Sequence, residues 1–306
     1  MAVPFVDAEE LVRRLSMAAA IDALESAFRL GDPSSTPLRS QVTTPTGTLL
    51  LMPATGDPGV GVKLVTLTAA NPPRGLPLIH AVYVLFDAET QAPKLLVDGS
   101  ALTALRTAAV SGLATRWLAR PDARSLVMFG AGVQARAHLD AMASVRPIAQ
   151  LTVVSRTRDR AAELVAVADA VGIAGSVGDP EAAAGADIVC ACTTASEPLF
   201  DGAILRVGTH VNAVGAYRPD ARELDTETIR RARVVVETRE SAWEEAGDLV
   251  MPVSEGAITR DHVVADLQEM VRGKEVRHGP DDVTVFKSVG LAFEDLAVAG
   301  ALAASL

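Results

Sequence analysis

Ser125-Leu126-Val127-Met128-Phe129-Gly130-Ala131-Gly132-Val133-Gln134-Ala135 is the stretch on which the fold turns. Ser125 to Phe129 is a short, nearly continuous apolar run of the kind buried in a parallel sheet. A G-x-G-x-x-A loop comes next, and each of its small residues has a physical task. Gly130 permits the tight turn out of the strand, Gly132 lets backbone N–H groups approach a pyrophosphate, and Ala135 lets helix and strand pack closely. Phosphate oxygens then sit at a helix N-terminus, where unpaired N–H groups and the dipole favour negative charge. Alone the motif is weak. Here a strand precedes it, a helix to about Ala143 succeeds it, and another strand, Leu151 to Val154, comes about 20 residues on.

Downstream, strands keep alternating with helices. Arg158 to Val171 reads as a helix, and Asp187 to Cys192, His210 to Val214 and Val234 to Glu237 read as strands. That alternation predicts a parallel, doubly wound sheet of the Rossmann type. Upstream the character differs. Asp7 caps a predicted helix over Ala8 to Arg14, Ser16 caps a second running to Leu30, and Gly31-Asp32-Pro33-Ser34-Ser35 ends it. Thr48 to Met52, Gly61 to Leu67, Leu78 to Phe86 and Lys94 to Val97 are short apolar runs separated by glycine and proline, with no helix between them. Such spacing predicts a mainly antiparallel sheet, closed by a long helix over Ala101 to Leu118. The fold class is therefore α/β: a Rossmann-type doubly wound parallel sheet plus a second, α+β domain, with the boundary near residue 119. A chain of 306 residues has the length for two domains.

Composition excludes several function classes. Lys and Arg number 28 against 38 Asp and Glu, a net charge of −10, and no basic run interrupts this balance. Neither nucleic acid nor an anionic membrane surface is the expected partner. The first 15 residues carry Asp7, Glu9, Glu10, Arg13 and Arg14 and lack the apolar centre of a signal peptide. The longest apolar stretch, Val289 to Leu306, is interrupted by Glu294 and Asp295 and reads as a buried amphipathic helix. A soluble, cytoplasmic protein is expected. Cys190 and Cys192 lie two apart in a strand, as small buried hydrophobes would, and the five His and two Cys show no metal-ligand spacing.

The end of the second parallel strand decides the cofactor. An Asp or Glu there holds the ribose 2′-hydroxyl of NAD, whereas this chain has Ser155-Arg156-Thr157. No carboxylate repels a 2′-phosphate, and Arg156 can hold one through charge-assisted bonds. The reading is NADPH, with NADH as the alternative. In the first domain, Arg39 lies in a loop, Lys63 inside the apolar run Gly61-Val62-Lys63-Leu64-Val65, and Arg106 on the long helix. A lysine inside a strand is costly unless its ammonium reaches water or an anion. Singly, these are as readily an edge-strand lysine and ion-paired arginines. Together they point to a clamp for a carboxylate. His80 reads as a core or edge residue.

The landmarks together resemble the ornithine cyclodeaminase/mu-crystallin family over nearly the whole chain. They are Gly61-Val62-Lys63, the block from Asp98-Gly99 to Leu105-Arg106-Thr107-Ala108-Ala109, the G-x-G-x-x-A loop, Val211-Asn212-Ala213-Val214-Gly215-Ala216 with Arg218-Pro219-Asp220, Arg222-Glu223-Leu224-Asp225, and Thr284-Val285-Phe286-Lys287-Ser288-Val289-Gly290 leading into Phe293-Glu294-Asp295. The resemblance implies a substrate domain that also forms a homodimer, residues 1–118 with 287–306 because the final helix rejoins it, and a Rossmann domain over 119–286. It implies a substrate carboxylate held by Arg39, Lys63 and Arg106. It also implies a dinucleotide held by Thr107, Gly130, Ala131, Gly132, Val133, Gln134, Ser155, Arg156, Thr157, Thr193, Val214, Gly215 and Lys287.

The family's activities include ornithine cyclisation, alanine dehydrogenation and ketimine reduction, all passing through an imine beside a carboxylate. Where the cyclodeaminases place an Asp against the substrate's amino group, this chain has Tyr217, and Asp220 lies three residues later. The expected activity is NAD(P)H-dependent reduction of cyclic imine carboxylates, such as Δ1-pyrroline-2-carboxylate to L-proline. Lys63, or else Asp220, supplies the proton. The alternatives are an ornithine cyclodeaminase, an alanine dehydrogenase, or a mu-crystallin-like small-ligand-binding protein with little turnover.

Overall fold

The computed structural model describes residues 3–306; Met1 and Ala2, which open the first expected domain, lie outside the described residues. The chain divides into two compact units, Met1–Ala109 with Leu291–Leu306 and Val110–Gly290. One dividing point thus falls inside the long helix, not after residue 118. The cause is visible in the helix's later half, where Ser111, Thr115 and Leu118 bond to His138, Asn212 and Arg277 of the second unit. The other falls at Gly290, not 286, because Thr284 to Lys287 forms a strand of the parallel sheet.

The first unit contains β1 (Phe5–Val6), α1 (Ala8–Arg14), α2 (Met17–Leu30), β2 (Ser40–Thr44), β3 (Gly47–Gly56), β4 (Gly59–Leu67), β5 (Ile79–Phe86), β6 (Pro93–Asp98) and the start of α3 (Gly99–Leu118). Asp7 and Ser16 cap α1 and α2 by accepting from Glu10 N–H and Ala19 N–H. In α2, Ala20, Ile21, Leu24 and Phe28 recur at helical spacing and are all buried. The sheet runs β1-β6-β5-β4-β3-β2, antiparallel except for β1 beside β6. Its strands alternate with period two. Leu50, Met52 and Ala54 of β3, Gly61, Lys63 and Val65 of β4, and Tyr83 and Leu85 of β5 are buried together on one face. The C-terminal helix Ala292–Ala304 packs on β3 and β4. On the other face Leu49, Leu51, Val62, Leu64, Val82 and Val84 are only half-buried.

The second unit is built from β7 (Ser125–Phe129), α4 (Val133–Val145), β8 (Gln150–Val154), α5 (Arg158–Ala170), β9 (Ala174–Val177), β10 (Ile188–Ala191), β11 (His210–Ala213), α6 (Thr226–Arg231), β12 (Arg233–Val236), α7 (Arg239–Glu245), α8 (Gly247–Ser254), β13 (Val263–Asp266), α9 (Leu267–Val271) and β14 (Thr284–Lys287); the C-terminal helix is α10 (Ala292–Ala304). Its sheet is parallel throughout, ordered β13-β12-β14-β11-β10-β7-β8-β9. From β7 the chain moves outward through β8 and β9, then returns to β10 on the other side. β7 and β10 therefore flank the switch point, where a crevice opens beyond the carboxyl ends of the strands. Among the described residues, no helix is long and apolar enough to cross a membrane.

Candidate active site

Lys63 is not an edge lysine: β4 lies between β3 and β5, and the side chain is 1 % exposed. An ammonium so placed needs an anion, and α10 provides it. The Lys63 Nζ sits 2.8 Å from both oxygens of Asp295. Arg106, on α3 and also buried, donates from Nε to Asp295 Oδ1 at 3.1 Å and from Nη1 to Glu294 Oε2 at 2.8 Å. Glu294 and Asp295 occupy the first turn of α10, where the helix dipole favours negative charge. Tyr83, paired with Lys63 across β4 and β5, buries its hydroxyl beside them, and a Cβ on Gly61 would collide with that hydroxyl.

Three cations, Arg39, Lys63 and Arg106, thus accompany two carboxylates. Burial lowers the Lys63 pKa to about 8; Arg106 and Arg39 push it the same way and Asp295 opposes them. Burial first, and then the Asp295 charge, raise the Tyr83 hydroxyl well above its ordinary range. Lys63 and Arg106 share the Asp295 carboxylate, whereas Arg39 is half-buried in the loop before β2 and bears on them through its charge. Glu294 and Asp295 were missed as their partners, although two adjacent acids in an otherwise apolar helix were a signal.

In the second unit, Gly130 closes β7 with φ +101°, and a Cβ there would collide with the Cys192 carbonyl oxygen. Only glycine fits that turn. Gly132 is different, since a Cβ on it would meet no protein atom within 4 Å. The backbone at 132 is therefore open to the outside, as close approach of a phosphate group requires. Gly132 is also the N-cap of α4 and gives no side-chain cap, leaving the first N–H groups of a 13-residue helix available to phosphate oxygens. Ala135 is fully buried against the sheet, whereas Ala131, Val133 and Gln134 are half-buried or exposed around the loop. The residues present fit a dinucleotide pyrophosphate. At the end of β8, Ser155 is half-buried and accepts from Thr157 N–H at 3.3 Å, while Arg156 is exposed.

The loops after β10 and β11 complete the crevice. Thr193, Val214 and Gly215 stand there half-buried, and Thr107 is buried on α3 in the first unit. Lys287 departs from its expected place at a cofactor. It is 1 % exposed at the end of β14, 2.8 Å from Asp248 Oδ2, and donates to the Ala216 carbonyl at 2.6 Å. Its ammonium is taken up by the protein, so it shapes the loop after β11. Asp220 departs as well. Its exposed carboxylate is gripped by Arg218 through bonds of 2.9 and 2.7 Å, and those bonds hold its pKa below the usual carboxylate range. That is the wrong direction for a proton donor. Tyr217 is 40 % exposed and His80 is exposed on β5.

The sequence model of the ornithine cyclodeaminase/mu-crystallin family matches residues 3–304. A Δ1-pyrroline-2-carboxylate reductase of Bacillus cereus is 39 % identical over 264 residues, covering 82 % of this chain and 79 % of that protein. The structure of Thermococcus litoralis Δ1-pyrroline-2-carboxylate reductase in complex with NADH and L-proline superposes with a TM-score of 0.92 at 37 % identity, covering 98 % of this chain and 96 % of the other. An archaeal alanine dehydrogenase dimer with bound NAD superposes with a TM-score of 0.94 at 32 % identity, covering 100 % of this chain and 96 % of the other.

Proposed function

The chain belongs to the ornithine cyclodeaminase/mu-crystallin family, and on that premise we propose that it reduces cyclic imine carboxylates, Δ1-pyrroline-2-carboxylate to L-proline first among them, with NADPH. The observation that carries this reading is the buried charge cluster. Lys63 and Arg106 are buried side by side on Glu294 and Asp295, and cations held in so dry a place attract an anion strongly. A substrate carboxylate is such an anion, and guanidinium groups hold it in a defined plane.

Reduction of a C=N bond needs a hydride at carbon and a proton at nitrogen, and a bound reduced nicotinamide supplies the hydride. Lys63 supplies the proton. Its pKa near 8 leaves it charged at neutral pH yet weakly enough held to give the proton up. Asp295 fixes the ammonium, and Arg106 binds the carboxylate while keeping the Lys63 pKa down. The dinucleotide lies on the Gly130–Gln134 loop with Thr193, Val214 and Gly215 beside it. Ser155, Arg156 and Thr157 meet the 2′-phosphate. NADPH is preferred because no acid stands at the end of β8 and Arg156 does. NADH binds less tightly.

The protein works as a homodimer, its partner a second copy and its ligand a small imino or amino acid. The half-buried apolar face of the first unit's sheet, with Leu49, Leu51, Val62, Leu64, Val82 and Val84, supports this. Cys190 and Cys192 are free thiols, as a reducing cytoplasm would keep them.

A second reading is favoured by the likeness to the alanine dehydrogenase, and it runs the same chemistry oxidatively. One experiment separates them. Purified protein is offered Δ1-pyrroline-2-carboxylate with NADPH or NADH, and alanine or ornithine with NAD. Fast oxidation of NADPH by the cyclic imine supports the reductase. Faster NADH formation from alanine, or proline formation from ornithine with NAD, overturns it. Tight ligand binding without turnover in any arm would mark a binding protein.

A further inference from the structure

Glu223 sits in the Arg222-Glu223-Leu224-Asp225 stretch, which imine reduction leaves without a task. It is fully buried, and both of its oxygens are engaged. Oε1 accepts from Thr193 N–H at 2.8 Å and from the Thr193 hydroxyl at 2.7 Å. Oε2 accepts from Gly215 N–H at 2.7 Å and Ala216 N–H at 3.3 Å. Thr193 belongs to the loop after β10, and Gly215 and Ala216 to the loop after β11. The two loops touch, since a Cβ on Gly215 would collide with the Thr193 carbonyl oxygen. Glu223 is itself held, because Asp248 Oδ1 accepts from Glu223 N–H and Leu224 N–H at 2.8 Å each. Asp248 in turn meets Lys287, which takes the Ala216 carbonyl. Ala216 is therefore fixed at its N–H by Glu223 and at its C=O by Lys287.

We propose that Glu223 is a positioning residue for the dinucleotide: one buried carboxylate that fixes the loops after β10 and β11 relative to each other and thereby sets cofactor affinity. This rests on the reductase reading of the same site. Four donors converge on the two oxygens, an arrangement that only an ionised carboxylate satisfies. A glutamine would turn an NH2 group against N–H donors of one loop. The charged and titratable groups facing Glu223 are Lys287, Asp248 and the Cys192 thiol. Burial pushes its pKa up to about 7, against the pull of Lys287 and the Thr193 bonds. Protonation on the acid side of neutrality puts an O–H where donors already point, and the loops come apart.

The test titrates NADH and NADPH onto the full chain by fluorescence, for the wild type, E223Q and T193V, across neutral pH. NADH carries no 2′-phosphate, so its pH dependence belongs to the protein. E223Q is expected to weaken both dinucleotides about tenfold or more. Its KM for cofactor rises while its KM for the imine stays within about twofold, a split that general loosening of the fold would not produce. Wild-type NADH affinity falls below neutral pH in a one-proton step that E223Q lacks. E223Q affinities within about twofold of wild type, with the same pH dependence, overturn the inference. Should E223Q not fold, T193V removes one of the four donors and must weaken NADH about threefold; unchanged binding overturns the inference equally. A wild type that binds neither dinucleotide brings down the reductase reading, and the role of Glu223 with it. That outcome is distinct from a wild type that binds while E223Q binds as well.

Discussion

Asp295→Asn tests the proton donor most directly, because it leaves Lys63 in place and removes what holds it. The Lys63 ammonium lies 2.8 Å from the Asp295 carboxylate; at an effective dielectric constant of 20 that attraction is about 6 kcal/mol. One pKa unit corresponds to about 1.4 kcal/mol, so losing even a quarter of the attraction moves Lys63 by about one unit. The direction is set by the forces that remain. Burial, Arg106 and Arg39 all lower the pKa, and Asp295 opposed them. A proton donor works below its pKa, so wild-type kcat/KM for imine reduction is expected to fall as pH rises through about 8. In D295N the fall should begin near neutrality. Breaking one partner of a buried ion pair also costs stability, about 3–5 kcal/mol, read as a lower urea midpoint. The assay is NADPH oxidation against pH on protein shown to be folded at each pH. A D295N profile whose alkaline limb superimposes on that of the wild type would refute the assignment of the proton to Lys63.

Arg156→Ala is expected to weaken NADPH by roughly 10- to 100-fold, the value of one or two charge-assisted bonds, while NADH changes by less than about twofold; equal losses for both would remove the 2′-phosphate assignment. Gly130→Ala places a side chain at φ +101° against the Cys192 carbonyl. Strain of about 1–3 kcal/mol should appear as a lower melting temperature together with lost dinucleotide affinity, and calorimetry on the same sample reads both. Leu64→Asp puts a charge on the half-buried apolar face of the first unit's sheet. If this face joins two copies as proposed, light scattering should then report half the wild-type mass, and an unchanged mass would show that this face is not the interface.

What the sequence made legible was local. Gly130 could be read because its constraint, a turn closed to any Cβ, is met within a few residues. Ala20, Ile21, Leu24 and Phe28 announce a buried helical face by spacing alone. The expense of Lys63 inside a strand was legible too, but its counter-ions were not. Asp295 lies 232 positions away, and no periodicity connects a strand to a helix at that range. Asp220 was reached by nearness to Gly215 in sequence, yet Arg218, two residues before it, captures its carboxylate at the surface. Glu223, a little farther along, turns inward instead. β9, Ala174-Gly175-Ser176-Val177, has a single branched apolar residue, so neither an apolar run nor an alternation marks it. β2, Ser-Gln-Val-Thr-Thr, is an exposed edge strand whose pattern is polar on both faces.

The ion pairs of Lys63 and Arg106 join residues 188 to 232 positions apart. On the ribosome, Lys63 and Arg106 emerge long before the helix bearing their acids is translated. The Rossmann unit is one continuous segment, so it can acquire its native packing while the N-terminal sheet still waits, its cations solvated and its apolar faces open. A chain that presents its buried cations before the acids that neutralise them carries an unfinished sheet through much of its synthesis, a kind of species prone to aggregate.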